Sequence, residues 1–310
     1  MKMGFFQGIK NICSVWSWQR ILNNISYLIR TDLKQQELEQ TYRIKDEVLE
    51  ECVYELEEYQ KRLIRLQVLD SAQTIQLLSD HPMSFSRFGD GEIHIMQGMD
   101  QPFQNYDPQL AEKMLAILSG KRTDMYVGLN QAYFQSPLNF AERNRKFYRI
   151  NGTRYRRFFA DHCYPDRLYL DASCFGAYYR YPDGFDFEGH YARIKALFAG
   201  KKIAVVCGEG VFEKLKYNVF EEAADFMVVH GPRLHAFSQY SALMEKIEKT
   251  VPKDYLICLI LGQTATVMVP DLTDMGYMTW DVGHIAKDYD AYKKQTAKTQ
   301  ANMDAFWAPD

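Results

Sequence analysis

The sequence predicts an α/β protein, a Rossmann-like, doubly wound and mainly parallel sheet with an N-terminal helical appendage. Three observations predict it: short, continuously apolar segments of strand length, amphipathic helical segments alternating with them through the last third, and an amino-terminal stretch with helical periodicity alone. Length and composition agree. The 310 residues, 47% hydrophobic and 25% charged, can bury a sizeable core and contain no apolar run of about 20 residues able to span a bilayer. Lys+Arg 37 against Asp+Glu 40 leaves a net charge of -3, which argues against a duplex-binding protein that works by phosphate neutralisation, so nucleic acid is not an expected partner. The six cysteines, Cys13, Cys52, Cys163, Cys174, Cys207 and Cys258, lie far apart without metal-ligand spacing and are expected as reduced, packed thiols. No compact hydrophobic run with a cleavage site marks the amino terminus, which predicts a cytoplasmic protein.

Taken in order, Phe5, Ile9, Ile12 and Trp16, then Ile21, Ile25 and Leu28, recur at helical spacing among basic residues. That pattern suits a helix lying peripherally on the inner face of a membrane, or one docked on the body or on a second subunit. Residues 32 to 70 follow as a charged helix striped by Tyr42, Leu49, Val53, Leu56, Leu63 and Leu66, packed on the body or pairing with a second copy. The expected organisation is thus an appendage at 1–70 for oligomerisation or docking, a single α/β body at 71–292 and a short tail at 293–310.

Within the body, Met83 to Phe88 and Met125 to Leu129 are expected strands, and Asp107 with Pro108 starts the helix between them. The last third reads strand Lys202–Cys207, helix Val211–Ala224, strand Phe226–Val229, helix His235–Lys249, strand Tyr255–Leu261, helix Thr264–Met275 and strand Tyr277–Val282. Repeated βαβ units give a parallel sheet, and such sheets bind ligands outside the carboxyl ends of their strands. The segments to inspect are those that follow the strands.

Arg87-Phe88-Gly89-Asp90-Gly91-Glu92 ends the first of these strands. Two carboxylates one residue apart on a glycine-flanked turn suit a hard divalent cation, with Arg87 beside them for phosphate; the same turn also serves as an ordinary solvated helix start. In Leu261-Gly262-Gln263-Thr264-Ala265-Thr266 a strand runs into a helix whose free N–H groups suit a pyrophosphate or simply need a cap, and the lysine of a Walker loop is absent. Cys207-Gly208-Glu209-Gly210 holds a GxG fragment without the third glycine of a dinucleotide fingerprint, which leaves a methyltransferase or dehydrogenase as an alternative reading. Trp280-Asp281-Val282-Gly283-His284 delivers an aspartate and a histidine to one sheet edge, for a metal, for a proton or as a satisfied core pair. Seven bases between Arg143 and Arg157, without an acid, make either a local positive surface for an anionic substrate or lipid, or an ordinary solvated helix face. Aromatic residues reach 14%; most belong in the core, and Tyr133, Phe134 and Tyr148 are placed to stack on a sugar.

With these residues assembled, the chain resembles bacterial glycosyltransferases of the GT-D fold type over roughly residues 75 to 292. The resemblance is carried by Phe85 to Glu92, by Leu261 to Val267 with Asp271 and Leu272, and by Gly276-Tyr277 through Asp281 to His284. It implies a metal-dependent transferase in which Asp90 and Glu92 serve a nucleotide-sugar diphosphate, UDP-linked, with Mn2+ or Mg2+. By the same resemblance Asp90, Glu92 and His284 are the expected catalytic and metal-binding residues. Arg87, Phe88, Gly89, Gly208, Gly262, Thr264, Thr266 and Asp281 are expected around the nucleotide. The implied acceptor is a glycan, glycoprotein or lipid-linked sugar in cell-surface polysaccharide or glycoconjugate assembly. Two positions differ from the family's usual pattern: Gln263 stands where proline is more common, and Ile285-Ala286-Lys287-Asp288 replaces an earlier acidic residue after the histidine. A non-catalytic assembly protein is the remaining alternative, with residues 1–70 as its working part.

Overall fold

The computed structural model describes residues 15–54, 61–63 and 65–308. The chain divides into two units between Val53 and Tyr54. Nearly all of α1 (Val15–Tyr54) lies in the first unit; it is one continuous helix of 40 residues that runs through both the helical stretch expected up to about residue 30 and the charged helix expected from residue 32. Its exposed side chains include Ile21, Ile25, Leu28, Tyr42 and Leu49. Phe5, Ile9, Ile12 and Leu56 lie outside the described residues. Among the described residues no helix is long and apolar enough to cross a membrane.

The second unit contains, in order, β1 (Gln67–Val68), α2 (Ser71–Asp80), β2 (Ser84–Phe88), α3 (Asp90–Met96), α4 (Pro108–Ser119), β3 (Met125–Leu129), α5 (Glu142–His162), β4 (Leu168–Asp171), α6 (Phe187–Phe198) and β5 (Lys202–Gly208). Then come β6 (Asp225–Gly231), α7 (Tyr240–Thr250), β7 (Leu256–Ile260), α8 (Gln263–Asp274), β8 (Met278–Asp281), α9 (Ile285–Lys293) and α10 (Gln300–Trp307). The body begins earlier than residue 71, because β1 pairs with β4 in the sheet. It also extends past 292, since α10 buries Phe306 against Tyr179 and His284.

Among the described residues all eight strands are parallel, in the order β1-β4-β3-β2-β8-β7-β5-β6. Val-rich β5 and Leu/Ile-rich β7 are buried almost throughout, as central strands covered on both faces must be. One apolar cluster joins α4, α5, α7 and α8 to one face through Phe88, Met114, Phe159, Ile247 and Val267. A second joins α2, α6 and α9 to the other through Phe85, Ile194, Phe198, Tyr289 and Trp280. Alternation along β2 explains the split, since Phe85 and Phe88 must leave opposite faces.

Local chemistry sets the helix starts. Asp70 caps α2 in a capping box with Gln73, and Asp107 caps α4 ahead of Pro108 as expected. Pro270 sits inside α8 and cannot donate to the carbonyl of Thr266; Ser86 Oγ donates to that oxygen instead at 2.9 Å, so the helix is docked on β2 by the bond that proline releases.

The expected helix at 211–224 does not form. Its apolar spacing imitates a helix, but the amides of Lys216 and Tyr217 donate to Asp290 Oδ1 at 3.0 and 3.1 Å, and the segment runs as turns that bury Val219 and Phe220. Cys163, Cys174, Cys207 and Cys258 are free and buried, which agrees with packed thiols.

Candidate functional site

A cavity of about 460 Å³ opens at the carboxyl ends of β5, β7, β8, β2, β3 and β4, a volume suited to a small-molecule ligand. Of the expected residues, Arg87, Gly89, Asp90, Glu92, Gly208, Gly262, Asp281 and His284 line it. Phe88, Thr264 and Thr266 do not. Phe88 is fully buried in the core, Thr264 Oγ1 donates to Gln104 Oε1 at 3.0 Å, and Thr266 Oγ1 donates to the Arg87 carbonyl at 3.1 Å. Both threonine hydroxyls hold the fold together around the cavity.

The two carboxylates of the Asp-Gly-Glu turn have separate fates. Gly89 is the N-cap of α3, and Glu92 at the third helical position turns back to accept the Gly89 amide at 2.7 Å. Asp90, at the first helical position, faces the cavity and accepts one long hydrogen bond of 3.4 Å from the Tyr133 hydroxyl. Burial pushes the Glu92 carboxyl up to about 7, against the Gly89 amide that favours its charged form.

That shift sets a pH dependence. A carboxyl with a higher pKa folded than unfolded holds its proton more tightly in the folded state, so this stabilisation is complete below its ordinary value of 4.5 and is lost as pH rises through about 7. In metal-free buffer, urea unfolding of Glu92→Gln should lack this component. The stability difference between wild type and variant should change by up to about 3 kcal/mol between pH 5 and 8. Parallel curves for the two proteins would refute the assignment.

Arg87 crosses the end of β2 toward β8. Its Nη2 donates to Asp281 Oδ1 at 2.7 Å and its Nη1 to the Ala172 carbonyl at 2.6 Å, while the Gly283 amide also donates to Asp281 Oδ1 at 3.0 Å. Burial raises the Asp281 pKa, and the neighbouring guanidinium opposes the rise. Gly283 is required here: its φ is +52°, and a Cβ would lie 2.1 Å from Arg87 Nη2. His284 lies among Phe103, Phe306 and Trp307, with ring centroids 5.4–5.5 Å away.

Among the described residues no group of three His, Cys, Asp or Glu side chains is arranged to hold a metal ion. Asp90, Glu92 and His284 all line the cavity without forming such a group, and one Glu92 oxygen accepts the Gly89 amide. Asp90 is one carboxylate facing the cavity, which fits a hard cation that completes its shell with ligand phosphate oxygens and water.

Several lining residues carry no strong signal in the sequence. Gln263, 8% exposed, lies over Gly91, where its Nε2 would be 2.3 Å from an added Cβ, and its Oε1 is buried without a partner. Asn130, directly after β3, was findable from the carboxyl-end rule. Arg180 and Trp307 come from a loop and a helix that no motif marks. Of the aromatics expected to stack on a sugar, Tyr148 lines the cavity, whereas Tyr133 and Phe134 pack on Phe159 within the aromatic core. The basic stretch is the helix α5. Tyr148, Tyr155 and Phe159 bury one side of it, and Lys146, Arg149 and Arg154 stand on its exposed side.

Gly208 lies at the cavity rim, with the Arg233 backbone where a Cβ would go. No helix follows it, so the dinucleotide alternative lacks the helix N-terminus that would receive a pyrophosphate.

A family model described as the glycosyltransferase GT-D fold matches residues 85–306. The chain belongs to the GT-D-fold glycosyltransferases. It is 29% identical over 245 residues to "Glycosyltransferase GlyD" of Streptococcus pneumoniae serotype 4, covering 79% of this chain and 30% of that protein. It is 26% identical over 244 residues to "Probable glycosyl transferase Gly" of Streptococcus gordonii, covering 74% and 33%. The chain thus spans about a third of the length of these curated relatives. A solved structure described as a highly conserved domain of unknown function with a distinct glycosyltransferase fold superposes with a TM-score of 0.70 at 29% identity, covering 76% of this chain and 84% of that one. The GT-D match includes β2, the turn after it, α8 and the Asp281–His284 segment, all of which meet at the cavity.

Proposed function

We propose that this GT-D-fold chain transfers a sugar from a nucleotide-sugar donor, UDP-linked, to a hydroxyl of a glycan, glycoprotein or lipid-linked acceptor in cell-surface polysaccharide or glycoconjugate assembly, with Mn2+ or Mg2+. The observation that carries the reading is the convergence, in one cavity of a GT-D-fold protein, of Asp90, the Arg87–Asp281 pair and the amino terminus of α8. Transfer requires a departing diphosphate to be stabilised as its negative charge grows. The first-turn amides of α8 and its dipole offer that stabilisation, because Gly262 at its N-cap has no side chain to occupy them. A divalent cation bound through Asp90 and the diphosphate oxygens would add positive charge at the leaving group.

Arg87 is engaged with Asp281 and Ala172, which fixes its guanidinium at the head of β2 and keeps a positive group beside Asp90. Burial pushes the Glu92 carboxyl up to about 7, so it adds less negative charge there than an exposed glutamate would. Gln263 Oε1 is an acceptor beside the Asp90–Glu92 turn, suited to a sugar hydroxyl.

A thermal-shift panel of UDP, GDP, ADP, NAD and S-adenosylmethionine, each with EDTA or Mn2+, tests the reading. UDP with Mn2+ should raise the melting temperature by several degrees, since saturation at about 100 times Kd adds about 2.7 kcal/mol. Stabilisation by NAD or S-adenosylmethionine alone would overturn it.

A further inference from the structure

The amino-terminal part of α1 differs from the rest of that helix in both pattern and charge. At about 100° per residue, Trp18, Ile21, Leu22, Ile25, Leu28 and Ile29 fall within one arc of about 120°. All six are exposed, Leu28 by 65% and Ile25 by 47%. The opposite side of the same stretch carries Asn23, Asn24, Ser26 and Arg30, and the position of Arg20 falls there as well. Arg20 and Arg30 are the only charged residues between Val15 and Thr31, and residues 1–31 contain no acid.

The sign then reverses. Asp32 falls within the apolar arc and ends it, after about 25 Å of helix. Between Asp32 and Tyr54 acidic residues outnumber Lys34, Arg43 and Lys45, and polar side chains pair along the helix itself, Arg43 with Glu47 and Gln36 with Asp32, both at 3.1 Å. Leu38, Tyr42 and Leu49 lie on another side of the helix from the first arc, so no single apolar face runs its whole length.

A second copy of the chain suits this face poorly. Continued in steps of seven from Trp18 and Ile25, a pairing seam meets Asp32, Glu39 and Asp46, and paired copies would bring these like charges together. The arc is also broader than the narrow seam of a coiled coil. A bilayer surface asks for what the segment has: a wide apolar face, a polar opposite face, and charge of one sign only. That sign selects the lipid, because anionic headgroups attract Arg20 and Arg30 and repel the acidic remainder of α1, which stays in water. Trp18, with an apolar body and one N–H, has the side chain favoured at a membrane–water boundary.

We propose that residues 15–31 of α1 are a docking surface for an anionic lipid bilayer, lying in the plane of the interface with Ile21, Ile25 and Leu28 toward the acyl chains. This role does not depend on which donor or acceptor the α/β body uses. Flotation of the full chain with phosphatidylcholine vesicles, with or without phosphatidylglycerol, tests it. Vesicles containing phosphatidylglycerol should bind at least about tenfold more tightly than phosphatidylcholine alone, with the difference shrinking as salt rises.

Arg20→Gln and Arg30→Gln, which leave the apolar face intact, should each weaken that binding about fivefold, and the double variant roughly 30-fold. Ile25→Glu should abolish it, whereas Leu49→Glu, at an exposed position beyond Asp32, should bind as wild type does. An unchanged melting temperature for each variant confirms that the body is folded. Failure to float with phosphatidylglycerol vesicles, or equal binding to both kinds, would overturn the docking surface. A dimer that Ile25→Glu dissociates, and that floats with neither kind of vesicle, would assign the face to a second copy and overturn it as well.

Discussion

Asp90→Asn should reduce turnover of the nucleotide sugar by about 100- to 1,000-fold, the loss expected when one preorganised electrostatic contact to a developing charge is removed. The hydrolytic side reaction, with water in place of the acceptor, is the simplest assay because it requires no knowledge of the acceptor. Stability should barely change, since the Asp90 carboxylate makes a single 3.4 Å bond to Tyr133 and otherwise faces the cavity. The same variant should lose the Mn2+-dependent part of UDP binding and retain the metal-independent part, because asparagine keeps the shape and removes the charge. Full turnover in a folded Asp90→Asn protein would remove Asp90 from the chemistry.

Arg87→Met should be the most destabilising single change at the site. Asp281 is 4% exposed, and without Arg87 its carboxylate has only the Gly283 amide. Removing one partner of a buried ion pair costs about 3–5 kcal/mol, which lowers the melting temperature by roughly 10 °C in a domain of this size. The double variant Arg87→Met/Asp281→Asn should recover a substantial part of that loss, because it no longer buries an uncompensated charge. Urea unfolding of the two single variants and the double closes the cycle, and additive losses would show that Arg87 acts through its Ala172 contact and its packing instead.

Much of this was legible in the residues. Continuous apolar runs marked β2, β3, β5, β7 and β8 to within a residue or two, since a central parallel strand has no solvent face on which to place polar side chains. The carboxyl-end rule then directed attention to Arg87–Glu92, Gly208, Gly262 and Asp281–His284, all of which contribute to one cavity. What misled was local periodicity without its tertiary context. Residues 211–224 have the spacing of a helix, yet Asp290 captures two of their amides. Thr264 and Thr266 occupy a helix start, yet their hydroxyls are taken by Gln104 and by the Arg87 carbonyl.

Sequence alone determined the layered parallel sheet, the strand ends where chemistry is possible, and the Asp-Gly-Glu turn. These follow from short-range periodicity and from residues adjacent in the chain. Tertiary structure decided how those polar groups are engaged. One Glu92 oxygen serves a helix cap and one Asp281 oxygen an ion pair, whereas Asp90 is left facing the cavity. It also decided that α5, the 172–180 segment and α10 complete the wall, bringing Arg143, Arg180 and Trp307 to a site that begins at residue 87. The physical reason is the same in each case: a buried polar group must be satisfied, and its partner is chosen by the strand order across the sheet, not by distance along the chain.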